Sequence, residues 1–236
     1  MTIKVMDTTM TIEAMHLLRL QSWLSPAFPI GAFSYSHGLE YAVEAGLVHD
    51  RASLTDWLGA DLQHGSGRNE AVFLATALAA EDEAFLEAAE LAAVSFASKE
   101  LALEGLSQGE AFLLTVSRAW PHDALKTRQG LLERAGIAPT LAIAIAMACM
   151  AHGIEPATAL HLYLQSWSAN LINAAVRLVP LGQTDGQLAQ AALEATVIAT
   201  AQEAATATLD DLGSAAVMVD WASMQHENQY TRLFRS

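Results

Sequence analysis

One stretch of the chain, residues 25–40, cannot continue the helices that the sequence predicts on either side of it. It reads S-P-A-F-P-I-G-A-F-S-Y-S-H-G-L-E. Pro26 and Pro29 each remove a backbone donor and push the preceding residue out of the α region, while Gly31 and Gly38 permit backbone angles that other residues avoid. The stretch also carries aromatic residues, where a plain connector would be small and polar. We therefore expect a loop that either packs onto the rest of the chain or presents an apolar surface to something else.

The rest of the chain favours helices. Ala and Leu dominate its composition and β-branched residues are sparse. With 236 residues, 53% of them hydrophobic, the chain can bury a sizeable core in one domain. We find no strand pattern, repeat or linker. The predicted fold is all-α, a single-domain helical bundle of about ten helices over residues 10–229, with a flexible N-terminus (1–9) and a C-terminal tail (230–236).

Pro, Gly and capping residues mark where the expected helices begin and end. The predicted ranges are about 10–24, 39–45, 53–64, 68–80, 81–97, 98–119, 121–136, 141–151, 156–179, 185–209 and 212–229. Capping boxes are expected to begin at Ser53 and at Thr184. Gly105 and Gly109 either weaken the middle of their helix or let another segment approach it closely.

Charge and cysteine content limit the partners and the compartment. The formal net charge of −14 predicts repulsion from nucleic acid and from anionic membranes, and attraction to a basic protein patch. The single cysteine, Cys149, lies in an apolar run and is expected to be a buried, unreactive side chain. The first nine residues lack an apolar signal region, and the longest apolar run, Leu141–Ala151, is too short to span a bilayer. We therefore expect a cytoplasmic protein.

Catalytic, metal-binding and nucleotide-binding motifs are missing from the sequence. His226-Glu227 begins like a zinc-protease motif, but Tyr230 occupies the place of the second histidine. No two of the eight histidines have a metal-ligand spacing. Residues 34–37 do not form a hydrolase nucleophile elbow, and the chain has no P-loop. We predict no catalytic residue, no metal ligand, no cofactor and no enzyme activity.

Two other patterns indicate surfaces for contact. The apolar helix 156–179 carries Ser166, Asn170, Asn173 and Arg177 on one face. This polar stripe forms either a buried network that holds two helices in register or the lining of a groove or subunit interface.

The C-terminal tail differs in chemistry from the acidic segment before it. No Lys or Arg occurs between Arg177 and Arg232, whereas residues 230–236 contain two arginines and two aromatic residues. Tyr and Arg are enriched at interface hot spots. The tail docks either on its own bundle or on a partner, and we expect it to be mobile until a partner orders it.

Three segments in chain order resemble the urease accessory protein UreF family. They are Pro29–Glu40, Asn170–Gln187 and His226–Ser236. Phe28 and Ile30 depart mildly from the family pattern, which more often has Leu and Val there. The structural signature of the first segment comprises Pro29, Gly31, Phe33, Ser34 and Gly38.

The resemblance implies a non-enzymatic, homodimeric adaptor. Such a protein binds the UreD (UreH) accessory protein and recruits the GTPase UreG, and the assembly delivers nickel to apo-urease with GTP hydrolysis. Phe33 is expected to pack into the bundle, with Tyr35 or His37 nearer the surface. The expected partner-binding residues are Tyr35, His37, Glu40, Tyr230, Arg232, Phe234 and Arg235. The alternatives are a helical enzyme with a site around Tyr35, His37 and the polar stripe, and a purely structural helical dimer.

Overall fold

The computed structural model describes residues 8–236. Of the predicted flexible N-terminus, residues 1–7 lie outside the described residues, and Thr8 and Thr9 already belong to the first helix. From residue 8 onward the chain forms eleven α-helices and two single-turn 3-10 helices, with no strand, which confirms the predicted all-α fold. The α-helices are α1 Thr8–Trp23, α2 Leu39–Glu44, α3 Arg51–His64, α4 Ser66–Ala79, α5 Asp82–Val94, α6 Lys99–Ala119, α7 Asp123–Ala135, α8 Leu141–Ala151, α9 Pro156–Leu178, α10 Gln183–Ala204 and α11 Val217–His226. The 3-10 turns are Ala32–Ser34 and Leu209–Asp211.

The bundle is built around α8, whose eleven residues include no charged or hydrogen-bonding side chain apart from a thiol. A helix that is apolar on every side must be covered on every side. Helices α4, α6 and α7 pack around it, and only Leu141 and Met150 are partly exposed. Burial raises the pKa of Cys149 to about 12, so this thiol behaves as a small apolar side chain at neutral pH.

The glycines of α6 serve close packing. A Cβ on Gly109 would lie 2.2 Å from the carbonyl oxygen of Pro139, so α6 touches the turn that leads into α8. A Cβ on Gly105 would lie 2.6 Å from the ring of Phe96. Of the two explanations for these glycines, close approach is therefore the one that the structure supports.

The predicted capping boxes were placed too late, the first by three residues and the second by two. Helix α3 begins at Arg51 because Asp50 accepts a hydrogen bond from the Ser53 N–H (2.8 Å), which makes Ser53 the third helical residue and not the cap. Helix α10 begins after Gly182, whose N–H donates to Asp185 (3.2 Å). Ser, Thr and Asp are all good caps, so pattern alone did not decide among neighbouring candidates.

The first and last helices also differ from expectation. Helix α11 begins at Val217, not near residue 212, because the N–H groups of Ala215 and Ala216 donate to the carbonyl of His64. In α1, Leu20 and Trp23 are buried, but four apolar side chains of the preceding turns are exposed. These are Ile12, Met15, Leu17 and Leu18. None of the described helices is long and apolar enough to cross a membrane.

Candidate partner-binding site

The signature loop, residues 25–38, contains three residues with positive φ angles. Gly31, His37 and Gly38 have φ values of 74°, 54° and 75°. Gly38 is also buried against α11, where an added Cβ would lie 2.5 Å from the Ser223 nitrogen. His37 is the only non-glycine among the described residues with positive φ, a conformation that costs energy and that surrounding contacts must stabilise.

The loop is anchored by Phe28 and Tyr35, and the expectation that Phe33 packs into the bundle is wrong. Phe33 is 71% exposed, and it lies in the 3-10 turn Ala32–Ser34, in which no residue is buried. Phe28 is buried with its ring 5.3 Å from that of Phe112, and Tyr35 is 5% exposed. Of the other signature residues, Pro29 is exposed and Ser34 is half-buried.

The tail is docked on its own bundle, so the expectation that it is mobile is also wrong. Phe234 and Ser236 are 3% and 1% exposed. The Arg235 N–H donates to the carbonyl of Ser34, and the Ser36 N–H donates to the carbonyl of Ser236, each at 2.8 Å. The Ser36 hydroxyl donates to the same Ser236 oxygen. The tail therefore lies along the signature loop, with which it shares backbone hydrogen bonds.

Glu40, at the start of α2, explains why so polar a tail is buried. Its carboxylate accepts the Leu233 N–H at 2.6 Å and the Phe234 N–H at 2.9 Å. Glu40 is itself only 8% exposed, and a buried carboxylate is tolerated where donors surround it. The carboxylate and the tail backbone thus satisfy each other.

A second set of contacts joins the tail to α6 through α11. His226 is fully buried, with Nδ1 2.6 Å from Glu100 Oε2 and Nε2 3.3 Å from Glu40 Oε2. Arg232 donates to the other oxygen of Glu100. Glu40, His226, Glu100 and Arg232 form one continuous chain of contacts, which we call the tail clamp.

A third contact connects the end of the tail to His37. Glu104 accepts from the Ser236 hydroxyl (2.7 Å) and contacts His37 Nε2 (2.9 Å). Burial opposes a charge on His37 and is the largest single effect, yet the carboxylates of Glu104, Asp61 and Glu70 together raise the pKa of His37 above its ordinary value.

Two cavities meet at the wall formed by His37 and Glu104. The larger, of about 460 Å³, also borders Glu70, whose carboxylate accepts from the Tyr163 hydroxyl at 2.8 Å. The smaller, of about 50 Å³, borders Tyr35, His37, Ser166 and Asn170. Of the residues of the hypothetical enzyme site, Tyr35, His37, Ser166 and Asn170 therefore line the smaller cavity, whereas Asn173 and Arg177 lie outside it. Among residues 8–236, no three His, Cys, Asp or Glu side chains are grouped so that they could hold a metal ion.

The polar stripe of α9 runs along the signature loop. The Ser166 hydroxyl donates to the Leu24 carbonyl at 2.7 Å, and Arg177 donates to the Phe33 carbonyl at 2.8 Å. The Arg177 guanidinium also lies over the Phe234 ring, 4.4 Å from its centroid. Asn170 is half-buried and Asn173 exposed. Two stripe residues thus fix backbone carbonyls of the loop.

The loop, the docked tail and the neighbouring Arg177 of α9 together expose apolar and cationic groups, which we call the loop–tail surface. It comprises Phe33, Arg177, Tyr230, Leu233 and Arg235. Tyr230 is fully exposed, and Arg235 lies over the ring of Tyr35 at 5.8 Å. Of the predicted partner-binding residues, Tyr230, Arg232 and Arg235 are exposed, whereas Tyr35, Glu40 and Phe234 are buried and His37 is half-buried.

Sequence reasoning missed Glu100, Glu104 and the role of His226. Glu100 and Glu104 are four residues apart on α6, so they share one helix face, and that spacing was the available signal. They lie outside the three segments whose sequence resembles the family, and their contacts with His37 and His226 join residues more than 60 positions apart in the chain.

The fold and the site together define an all-helical protein that uses its buried charges to fix a loop and a tail beneath an exposed surface. The chain belongs to the UreF family, whose family model matches residues 48–194. It is 51% identical over 224 residues to a urease accessory protein UreF of Rhodopseudomonas palustris (strain HaA2), covering 93% of each chain. UreF of Bradyrhizobium diazoefficiens (strain USDA 110) is 47% identical over 95% of this chain and 93% of its own. UreF of Magnetococcus marinus is 45% identical over 93% of this chain and 97% of its own. The predicted family is confirmed, and with it a role as a urease accessory protein.

Proposed function

We propose that this chain is an adaptor that bridges a UreD/UreH-type accessory protein and the GTPase UreG during GTP-dependent insertion of nickel into urease. It acts as a homodimer and reaches apo-urease through the complex. It is a binding protein and does not itself turn over a substrate. Its cytoplasmic location, expected from the sequence, is part of the same proposal.

The observation that carries the proposal is the loop–tail surface. Phe33 is 71% exposed, Leu233 is 58% exposed and Tyr230 is fully exposed. These large apolar side chains lie at the surface although the chain has a large apolar core in which such side chains are usually buried. The backbone beneath them is fixed by Glu40, by Arg177 and by the pairing of the tail with the loop. A rigid surface with aromatic and Arg groups binds with little loss of conformational entropy.

A second exposed face supports the proposal of a multi-protein assembly. Helix α11 exposes four apolar side chains within eight residues. They are Val217, Met218, Trp221 and Met224. Met-rich helical faces are common at binding surfaces. An adaptor with several partners needs more than one such face.

Co-purification tests the proposal. The tagged chain is expected to capture UreD and UreG from a mixture that contains both, and Phe33→Ala with Arg235→Ala should reduce capture by at least about tenfold, as expected for hot-spot residues. Leu114→Ala, which truncates an apolar side chain of α6 that is 53% exposed, is the matched control and should capture normally. Normal capture by the double variant would exclude the loop–tail surface as the contact.

Two further measurements separate the alternatives. Light scattering of the isolated chain should give the mass of a dimer, and a monomer would remove the homodimer from the proposal. A purely structural dimer would capture neither partner. The enzyme alternative, with a site around Tyr35 and His37, requires turnover by the isolated chain.

A further inference from the structure

His226 contacts two carboxylates at once, one with each ring nitrogen. The Nδ1–Glu100 and Nε2–Glu40 distances are 2.6 and 3.3 Å. Ionised carboxylates only accept hydrogen bonds, and a neutral imidazole has a single N–H. If the ring were neutral, the lone pair of its unprotonated nitrogen would therefore face a carboxylate oxygen, and that contact would be repulsive. With both carboxylates ionised, both contacts are hydrogen bonds only if the ring carries a proton on each nitrogen.

The charges around His226 balance when it is protonated. Glu40 faces it from α2 and Glu100 from α6, while Arg232 of the tail contacts Glu100. Two cations then meet two anions around a side chain with no solvent exposure. Removing one charge would leave a buried carboxylate without a counter-charge, which is strongly unfavourable.

The tail depends on the same carboxylates. Glu40 holds the N–H groups of Leu233 and Phe234, and Glu100 holds the side chain of Arg232. We infer that His226 is a positioning residue whose protonated ring keeps the tail docked, and that loss of its proton releases residues 230–236. The tail clamp is thus a proton-dependent latch, closed at lower pH and opened as the pH rises. The inference does not depend on what the loop–tail surface binds.

The first experiment measures the charge state and the order of the tail in the same wild-type sample. Nitrogen-15 spectra of labelled histidine distinguish the doubly protonated ring from the neutral one. Carbon-13 relaxation of the tail backbone, which does not rely on exchangeable amides, reports its order between pH 6 and 10. We expect a doubly protonated His226 wherever the tail is ordered, with tail order parameters falling from about 0.85 to below about 0.6 as the ring loses its proton.

The second experiment removes the need for the proton. In Glu100→Gln, the amide N–H₂ can donate to a neutral His226, and the amide oxygen can still accept from Arg232. The tail should then stay ordered at the pH where wild type releases it. Glu90→Gln, which makes the same charge change at an exposed glutamate of α5, should release its tail as wild type does.

Three results would overturn the inference. One is a neutral His226 beneath an ordered tail, which would place the proton on Glu40 or Glu100. Another is a tail that stays ordered after the ring of wild type has lost its proton. The third is a Glu100→Gln variant whose tail is released over the same pH range as wild type. The wild-type measurement decides the matter even if Glu100→Gln fails to fold.

Discussion

At the two ends of the described chain, composition and solvent exposure do not match: the apolar first helix is partly exposed, and the polar tail is partly buried. Helix α1 is rich in apolar residues, yet Leu17 and Leu18 are 53% and 63% exposed. The tail has two arginines and a terminal serine, yet Phe234 and Ser236 are almost completely buried. Apolar composition made α1 a candidate for burial, and polar composition made the tail a candidate for solvent. The structure reverses both.

The difference shows what decides burial at the edge of a bundle. A polar segment can be buried if the surface that receives it supplies a partner for each backbone group, as Glu40, Ser34 and Ser36 do for the tail. An apolar helix stays exposed if the rest of the chain offers no apolar groove to receive it. Among the described side-chain hydrogen bonds, α1 has only that of Arg19, in its second half, with His152, the residue that follows α8.

The largest expected difference between the two ends is the effect of truncating one apolar side chain at each of them. Phe234→Ala should lower the free energy of unfolding by roughly 3–5 kcal/mol, as expected for a buried aromatic side chain. Leu18→Ala should change it by no more than about 0.5 kcal/mol, as expected for an exposed site. Urea denaturation measures both. Equal effects would mean that the ends do not differ in solution.

A smaller effect is expected at Glu40. Glu40→Gln retains one acceptor oxygen but turns an amide N–H₂ toward a backbone N–H, so one buried donor loses its partner. The expected loss of stability is about 1–3 kcal/mol. Thermal denaturation would show it, with the exposed Glu90→Gln as the control. A variant as stable as wild type would show that the carboxylate does not hold the tail.

The attachment of α1 is expected to depend on pH. Burial, Arg19 and the neighbouring His122 and His16 lower the pKa of His152 below its ordinary value of 6.5, although a bond to the Trp120 carbonyl opposes them. The unfolded chain therefore binds this proton first, and the contribution of His152 to stability is present above pH 6.5 and lost as the pH falls toward the folded value.

The variant His152→Gln isolates this effect, because the other histidines then contribute equally to both proteins. His37, whose pKa is raised, contributes in the opposite sense: its stabilisation is present at low pH and lost as the pH rises. The difference in melting temperature between wild type and His152→Gln should therefore shift in favour of the variant between pH 8 and pH 5. A difference that stays constant with pH would mean that the pKa of His152 is not lowered by folding.

The smallest effect is expected at Phe33, in the loop that the tail covers. Because the side chain is 71% exposed, Phe33→Ala should change the free energy of unfolding by no more than about 0.5 kcal/mol. Calorimetry of wild type and variant should give the same melting temperature. A loss of several degrees would mean that Phe33 packs inward, as the sequence alone suggested.

The helices were predictable because their signals are local. The apolar run of α8 and the Pro156 that begins α9 each lie within a few residues of the structure they determine. Helix ends were missed by a turn where Asp50 and Ser53 compete as caps. The site was harder, because the signature loop predicted an ordered segment but not which aromatic residue anchors it. Glu40 and Leu233 are 193 residues apart, and no local pattern relates such positions.

The contact between Ser36 and Ser236 spans 200 residues and has a consequence for how the molecule is made. A ribosome completes the signature loop and helix α6 well before it synthesises the residues that dock on them. Until then Glu40 lacks the backbone donors of Leu233 and Phe234, Glu104 lacks the Ser236 hydroxyl, and the loop–tail surface does not exist. A chain that is still being translated, or one clipped near its end, would therefore present the wrong surface to its partners. Only a molecule that already contains residues 230–236 could compete for a place in the assembly.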